Sequence, residues 1–213
     1  MNYLNNHTRK SVTISVSYLL PLFVLLAGCS MLEIPGPPPN LYNITPKSTF
    51  SSNLPQVDWQ LIIEEPMADG GLDTSRIAFR PHATELKFFP DVRWTERAPK
   101  MLQTLLVESF ENTNKIKAVS RQSIGLRADF NLKTELREFQ AETDDKNQTT
   151  RVRVRINAKI VKQPRRIIIG SKSFEHIVEV KDSSDINNIV IAFDTASGKV
   201  LKRLVEWTLV TMD

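Results

Sequence analysis

The sequence predicts an α+β fold in which a largely antiparallel or mixed β-sheet carries two main helices, most economically packed on one face of the sheet. Two segments, about 98–112 and 185–210, have apolar residues at helical spacing. Several shorter segments alternate apolar and polar residues, as strands with one buried face do. These two observations are the basis of the prediction.

Short strand-like runs open the folded part of the chain. They are 41–44, 59–64, 76–80 and 85–89. Turn residues separate them, notably Asp69-Gly70-Gly71 and Arg80-Pro81-His82, and a further short strand is expected at 116–120.

The first helix is expected to begin near Pro99, because proline is favoured in the first turn of a helix. The apolar residues that follow at helical spacing are Met101, Leu102, Leu105, Leu106 and Phe110. Asn112-Thr113-Asn114 then predicts the end of this helix near residue 112.

A hairpin is predicted from 128 to about 156. Phe130, Leu132 and Leu136 share one face of its first strand, and 141–150 reads as a polar loop. The second strand alternates Val152, Val154 and Ile156 with Arg151, Arg153 and Arg155. If the apolar faces are in register, Glu135 lies opposite Arg155, a pair that contributes about 0.2–1 kcal/mol. A strand over 167–180, bent at Gly170, completes a meander.

Basic residues suggest two interpretations. Arg151, Arg153 and Arg155 are candidates for contact with anionic lipid headgroups, and two further groups share that character. These are Lys162 with Arg165-Arg166, and Lys199 with Lys202-Arg203. The alternative is that they form a solvated sheet face, a turn and the polar side of a helix.

The last helix should start at the capping cluster Asp182-Ser183-Ser184-Asp185. Its apolar positions follow a 3.6-residue period up to Trp207 or Thr208. Over 185–210 it would be about 39 Å long, and Gly198 is expected to kink or divide it.

The N-terminus has the organisation of a secretory signal. Arg9 and Lys10 precede an apolar run over 16–26, which is too short to span a membrane that needs about 20 residues. Leu26, Ala27 and Gly28 stand directly before Cys29 and match the lipobox of bacterial lipoproteins. We therefore expect cleavage after residue 28 and acylation of Cys29.

Cys29 would carry a diacylglycerol and an N-acyl chain, which together hold a protein on a membrane more firmly than one chain does. It is the chain's only cysteine, so neither a disulfide nor a thiolate metal cluster is expected within one chain. Ser30, rather than aspartate, follows it, which predicts sorting to the periplasmic face of the outer membrane rather than retention in the inner membrane.

The expected domain organisation has three parts. Residues 1–28 form the signal peptide, 29–40 the lipidated cysteine with a proline-rich tether, and 41–213 a single domain. The tether would have a reach of about 30 Å. Loss of the signal removes Arg9 and Lys10, so the net charge falls from +4 to about +2, which argues against a nucleic-acid partner.

Enzymatic motifs are absent from the sequence. It contains no Gly-x-Ser-x-Gly, no glycine-rich phosphate loop and no His-Glu-x-x-His. His82 and His176 are far apart, and Glu64-Glu65 and Asp144-Asp145 do not predict converging carboxylates. We expect no enzyme, no metal site and no cofactor apart from the covalent lipid.

An ordered set of motifs carries a resemblance to a known family. The motifs are a strand ending in proline (61–66), Arg-Ile-x-x-Arg within 72–80, a paired-aromatic strand (85–89), Arg93-Trp94, the Pro99 helix, Ala-Asp-Phe-x-Leu (128–132) with Phe139, and a long helix closing on Trp207. Over about 41–210 the chain resembles the ABC-type transport auxiliary lipoproteins, which include paraquat-inducible protein C and lipoproteins encoded beside mammalian-cell-entry (MCE) transporters.

The resemblance implies a non-enzymatic part in an envelope lipid-transport system. Its partners would be an MCE-domain protein and an ABC permease with its ATPase, the cargo phospholipid or another hydrophobic molecule, and the outcome outer-membrane integrity. A homo-oligomeric ring is also implied. The alternative from the residues is a stand-alone periplasmic lipoprotein that binds a hydrophobic ligand between helix and sheet.

Overall fold

The computed structural model describes residues 36–121, 127–143 and 149–212. Pro38–Asp213 forms one compact unit, and of the preceding unit, Met1–Pro37, only the last two residues are described. The predicted signal peptide, Cys29 and most of the predicted tether therefore lie outside the described residues. Within the described part of the chain, no helix is both long and apolar enough to cross a bilayer.

The described residues form a mixed β-sheet and two helices, which confirms the predicted α+β class. The strands are β1 (Asn40–Tyr42), β2 (Val57–Ile63), β3 (Met67–Ala68), β4 (Arg76–His82), β5 (Glu85–Trp94), β6 (Ile116–Arg121), β7 (Phe130–Thr143), β8 (Thr150–Lys162) and β9 (Ile167–Glu179). The helices are α1 (Ala98–Glu111) and α2 (Ile186–Thr211).

Strand β7 is the centre of the sheet. One edge pairs with β8 along its whole length, and β8 pairs with β9, both antiparallel, which confirms the predicted meander. The other edge pairs in succession with β2, β3 and β4, all parallel. Strand β6 flanks β2, while β5 and then β1 flank β4. The sheet is therefore mixed, with its antiparallel part in the meander.

Both helices pack into the same apolar cluster. Helix α1 contacts β2 and β6, helix α2 contacts β8 and β9, and the helices contact each other. At the centre, Trp94, Phe139 and Phe193 are almost fully buried, and their ring centroids lie 5.0–5.6 Å apart. Aromatic groups of this size dominate the hydrophobic stabilisation of a core. The cluster fits the predicted packing of both helices on one face.

The helix predictions are confirmed within a residue or two. Helix α1 has proline in its first turn and ends before Asn112. Helix α2 is capped by Asp185, whose Oδ1 accepts a hydrogen bond of 2.9 Å from the backbone N–H of Asn187. The expected division at Gly198 is wrong, because α2 is continuous, and the alternative of a kink there stays a prediction. Burial of its apolar face on both sides of Gly198 outweighs the cost of about 1 kcal/mol for a helical glycine.

A β-bulge in β7 corrects the predicted register of the hairpin. Between Leu136 and Glu138 the pairing with β8 shifts by one residue, so that Arg155 lies opposite Glu138. The predicted pair Glu135–Arg155 is therefore wrong, and Glu135 faces Asn157. A bulge also reverses which side chains face the core. Accordingly, even-numbered residues are buried before the bulge, and Phe139 is buried after it.

Two other predicted features have different outcomes. The turn at Arg80-Pro81-His82 is wrong, because these residues belong to β4 and the chain reverses at 83–84. Proline is tolerated there because the pairing with β5 is irregular between Phe79 and His82. At Gly170, where a bend is predicted, β9 shifts its register against β8, and the bend itself stays a prediction.

Candidate functional site

The three arginines proposed as lipid contacts belong to a network of charged residues on the sheet face opposite the helices, which we call the outer-face cluster. Its members are Arg80, Glu138, Gln140, Glu142, Arg151, Arg153, Arg155 and Glu175. They come from β4, β7, β8 and β9, so four strands hold the network in place. The sequence did not single out Arg80, Glu138, Gln140 or Glu175 for this role.

Glu138 joins one half of the cluster. Its carboxylate oxygens lie 2.7 Å from Arg155 Nη2 and 3.1 Å from Arg80 Nη1. The buried amide of Gln140 donates a further hydrogen bond of 2.7 Å to it. The bulge turns Glu138 towards these partners, because it changes the phase of side chains along β7.

Glu142 joins the other half. Its Oε1 accepts hydrogen bonds from Arg151 Nε (2.7 Å) and from Arg153 Nε and Nη2 (3.0 and 2.9 Å), while Arg153 Nη1 lies 2.5 Å from Glu175. The residue is only 6% exposed. Burial by itself raises the pKa of the Glu142 carboxyl, but the hydrogen bonds from Arg153 and Arg151 outweigh it and hold the pKa below its ordinary value.

The geometry of the cluster supplies a structural role for Arg151, Arg153 and Arg155. Each guanidinium has a carboxylate partner, and hydrogen bonds between ionised groups are the strongest kind in proteins. Contact of these arginines with anionic lipid stays a prediction. A headgroup phosphate would have to compete with carboxylates that are already within hydrogen-bonding distance.

Among the described residues, no group of three or more His, Cys, Asp or Glu side chains is placed to hold a metal ion. His82 ends β4 and His176 lies in β9. Burial, together with the charges of Arg203 and Lys199, lowers the pKa of His176. This favours the neutral imidazole in the folded protein.

The space between helices and sheet bears on the alternative of a hydrophobic ligand. The Trp94, Phe139 and Phe193 rings fill that space where the sequence suggested a pocket. A cleft of about 410 Å³ lies instead beside the outer-face cluster, near the β7 bulge, with charged residues in its wall. Ligand pockets for apolar molecules are usually lined mainly by apolar groups. This cleft is therefore poorly suited to such a ligand.

A second basic feature has a different environment. The turn at 163–166 joins β8 to β9, and we call residues 162–169 the hairpin tip. Lys162, Arg165 and Arg166 are exposed, and within the described ranges none has a carboxylate oxygen within 4.0 Å. Next to them, Ile167, Ile168 and Ile169 are 51%, 57% and 39% exposed. In the sequence this feature is an apolar run beside an arginine pair, of which only the basic residues were predicted to contact lipid.

The motifs that carry the family resemblance have structural roles. Trp94 of the Arg-Trp pair lies in the core, as does Ile77 of the Arg-Ile-x-x-Arg strand. Arg80 of that strand pairs with Glu138, and the guanidinium of Arg76 lies 3.6 Å from the centre of the Phe88 ring. These motif residues therefore contribute to core packing and to contacts between strands.

Comparisons with known proteins agree with this fold. An uncharacterised protein of Bradyrhizobium diazoefficiens is 30% identical over 190 residues, which are 88% of this chain and 50% of that protein. The chain thus spans about half the length of this relative. A crystal structure of a protein from Xanthomonas campestris matches with a TM-score of 0.76 at 29% identity, over 81% of this chain and 96% of that one.

A crystal structure of an uncharacterised protein shares the fold with a TM-score of 0.62 at 11% identity, over 81% of this chain and 99% of that one. The family model described as ABC-type transport auxiliary lipoprotein component matches residues 40–205, from β1 to within the last two turns of α2. The matched segment contains all the strands named above and all of the core except Leu209 and Met212. The chain therefore belongs to the family of ABC-type transport auxiliary lipoprotein components.

Proposed function

We propose that this protein is a non-enzymatic, membrane-anchored component of an envelope transporter. The other parts of this transporter are an ABC permease with its ATPase and an MCE-domain protein. Its cargo is phospholipid or another hydrophobic molecule, and its activity contributes to outer-membrane integrity. The family match over residues 40–205 carries this proposal. The outer-face cluster supports it, because its acids are paired with guanidinium groups rather than left free for catalysis.

The proposed position in the envelope rests on the N-terminal sequence. Acylation of Cys29 after cleavage behind Gly28 would attach the protein to a membrane, and Ser30 favours the outer membrane. Fractionation tests this directly. The wild-type chain is expected in the outer membrane and Ser30→Asp in the inner membrane, both resistant to a high-salt wash, whereas Cys29→Ala should be released from either membrane by that wash.

The partnership is tested by purification and by genetics together. The acylated protein should co-purify with an MCE-domain protein from gently solubilised envelopes. Deletion of the gene, with any paralogues, should let large or hydrophobic antibiotics enter the cell. Normal barrier function in such a strain, with no MCE protein in the purified sample, would contradict the proposed function.

A ring of identical copies remains part of the proposal, and the mass of the purified protein in solution tests it. The stand-alone ligand carrier is less favoured, because aromatic side chains fill the space between helices and sheet. Native mass spectrometry separates the two functions. A stoichiometric lipid bound to the isolated protein would favour the carrier.

A further inference from the structure

The hairpin tip combines free positive charge with exposed apolar surface. Lys162, Arg165 and Arg166 are exposed, and within the described ranges no carboxylate oxygen lies within 4.0 Å of their charged groups. Three consecutive isoleucines, 167–169, follow directly and keep 39–57% of their surface exposed. Exposed apolar groups of this size, rimmed by polar residues, mark interaction surfaces.

Ile167 and Ile168 are exposed for different reasons. Helix α2 ends before it reaches Ile167, whereas Ile168 lies opposite Val161 on the outer face of the sheet, away from the helix. Arg203 of α2 donates a hydrogen bond to the backbone carbonyl of Glu175, Trp207 packs on Phe174, and Thr211 lies over Gly170. The helix thus runs along β9 towards the hairpin tip and stops at residue 211. Residues 167–169 lie beyond the part of β9 that α2 covers.

A cleft of about 440 Å³ adjoins the turn on the outer side of the sheet. Arg127 and Arg166 line it with the apolar side chain of Ile62. Its one carboxylate, Asp129, already accepts a hydrogen bond of 2.9 Å from the backbone N–H of Gln60. Two arginines beside an apolar wall offer a place for a phosphate attached to a hydrophobic molecule.

We propose that the hairpin tip binds the surface of a membrane that contains anionic phospholipid. Lys162, Arg165 and Arg166 contact headgroup phosphates, and Ile167–Ile169 enter the boundary between headgroups and acyl chains. A bilayer interface supplies negative charge and apolar cover within about 5–10 Å of depth, which fits a tip that carries both kinds of group. An acidic protein surface satisfies the charges but leaves the isoleucines in water.

The position of the tip gives this contact an orienting effect. The chain enters the domain near Tyr42, whose hydroxyl donates a hydrogen bond of 3.1 Å to Asn187 at the start of α2. The tip lies near the other end of α2, about 39 Å away at 1.5 Å per residue. Because residue 42 and the tip lie near opposite ends of α2, contact at the tip would restrict how the domain can rotate about a lipid anchor on Cys29.

The proposal is tested by vesicle binding of the unacylated domain, residues 38–213. This domain should fold without residues 1–37, because its buried core begins only at Ile44. The domain should float with vesicles of phosphatidylglycerol and phosphatidylethanolamine, and much less with phosphatidylcholine vesicles. Each basic residue near an anionic surface strengthens binding about fivefold. Lys162→Gln, Arg165→Gln and Arg166→Gln together should weaken it on the order of a hundredfold.

A matched variant removes the same charge elsewhere. Lys87, Arg93 and Lys181 are exposed, and Lys181 follows β9 at the end opposite the tip. Their triple replacement by Gln should weaken binding less than tenfold. Equal losses in both variants, or no binding by the wild-type domain, would overturn the proposal. So would a wild-type oligomer that the tip variant dissociates, because the tip would then be a contact between copies.

Insertion of the isoleucines can be observed separately. The domain contains no cysteine, so a thiol-directed, environment-sensitive dye can be attached at Ile168→Cys or, as a control, at Ile191→Cys, which is 62% exposed on α2. On anionic vesicles the dye at 168 should shift to the blue and become shielded from a soluble quencher, while the dye at 191 should not. An unchanged spectrum at 168 in the presence of bound vesicles would show that the isoleucines stay outside the bilayer.

Discussion

Two arginine-rich regions of this protein look alike in sequence and differ in structure. The outer-face cluster contains Arg151, Arg153 and Arg155, and all three contact carboxylates from the same sheet. The hairpin tip contains Arg165 and Arg166, for which no described carboxylate lies within salt-bridge distance. The first region uses its charges to hold strands together, whereas the second has its charges available to a partner.

The difference follows from the elements that carry the two regions. Strand β8 is paired on both sides, so its outward-facing side chains lie between those of β7 and β9, where Glu138, Glu142 and Glu175 reach them. The tip extends past the end of α2, and its Arg165 and Arg166 lie in the turn 163–166, where they are not flanked by paired strands that could supply acids. The charge of a residue therefore does not predict a binding role unless its neighbours are known.

The largest expected effect comes from breaking the outer-face cluster. Glu142→Ala would leave Arg151 and Arg153, both about a quarter exposed, without this carboxylate. Removing one member of a buried pair costs about 3–5 kcal/mol, and partial exposure reduces the expected loss in the free energy of unfolding to about 2–3 kcal/mol. Urea denaturation measures it. Glu111→Ala, exposed at the end of α1 and outside the cluster, is the control and should change stability by less than about 0.5 kcal/mol.

The same carboxylate predicts how stability depends on acid. Because the folded protein lowers the pKa of Glu142, its contribution is complete above the pKa of the unfolded chain and is lost as the pH falls through the folded pKa. Below about pH 4 the wild type should therefore lose stability more steeply than Glu142→Ala. Parallel curves for the two proteins would contradict a pairing role for this residue.

A smaller loss of stability is expected from a larger side chain at Gly170, where α2 packs on the base of the hairpin tip. A β-carbon at Gly170 would lie 3.0 Å from the Trp207 ring and 3.2 Å from Thr211 Cγ2, and Trp207 is held in turn against Phe174. Overpacking of this kind costs about 1–3 kcal/mol, which thermal unfolding of Gly170→Val should show. Gly70→Val is the comparison, since Gly70 has open space around it. Similar losses at both positions would mean that α2 does not pack closely on β9 here.

His176 predicts a weaker effect near neutral pH. Its pKa is lowered by burial and by Arg203 and Lys199, so the folded state favours the neutral imidazole. Stability should be complete above the unfolded pKa of about 6.5 and should decline as the pH falls below it. We expect the midpoint of unfolding to fall between about pH 8 and about pH 5, and to fall less in His176→Gln than in the wild type. An identical decline in both proteins would assign it to other groups.

The smallest effect on stability is expected at the hairpin tip. Replacing Lys162, Arg165 and Arg166 by Gln removes no described ion pair, so the free energy of unfolding should change by less than about 0.5 kcal/mol. This is the direct contrast with Glu142→Ala. A loss above about 1 kcal/mol would show that the tip charges stabilise the fold and would remove the distinction between the two regions.

The sequence predicted the elements of this fold better than the contacts between them. Helical spacing located α1 and α2 closely, because both bury a continuous apolar stripe. The bulge between Leu136 and Glu138 was missed, although the buried positions change from even to odd before Phe139. One extra residue has no periodicity of its own, and yet it decides that Arg155 contacts Glu138 instead of Glu135.

The outer-face cluster and the tip could be predicted only in part for a related reason. Arg151, Arg153 and Arg155 were recognised from their alternation, but Arg80 reaches Glu138 through the parallel pairing of β4 with β7, which local sequence does not show. Exposure of the isoleucines at the tip depends on where α2 ends in space and on which face of the sheet each side chain lies. Both facts belong to tertiary structure, where long-range contacts override local patterns.

The central claim, that this domain acts as an anchored component of an envelope transporter, is tested most directly by complementation of a deletion strain with Cys29→Ala. The substitution lies ahead of the compact unit that begins at Pro38, so the domain should fold with an unchanged unfolding midpoint. We predict that the variant accumulates without acylation and fails to restore the outer-membrane barrier, whereas the wild type restores it. Full restoration by an unacylated protein free in the periplasm would contradict the account.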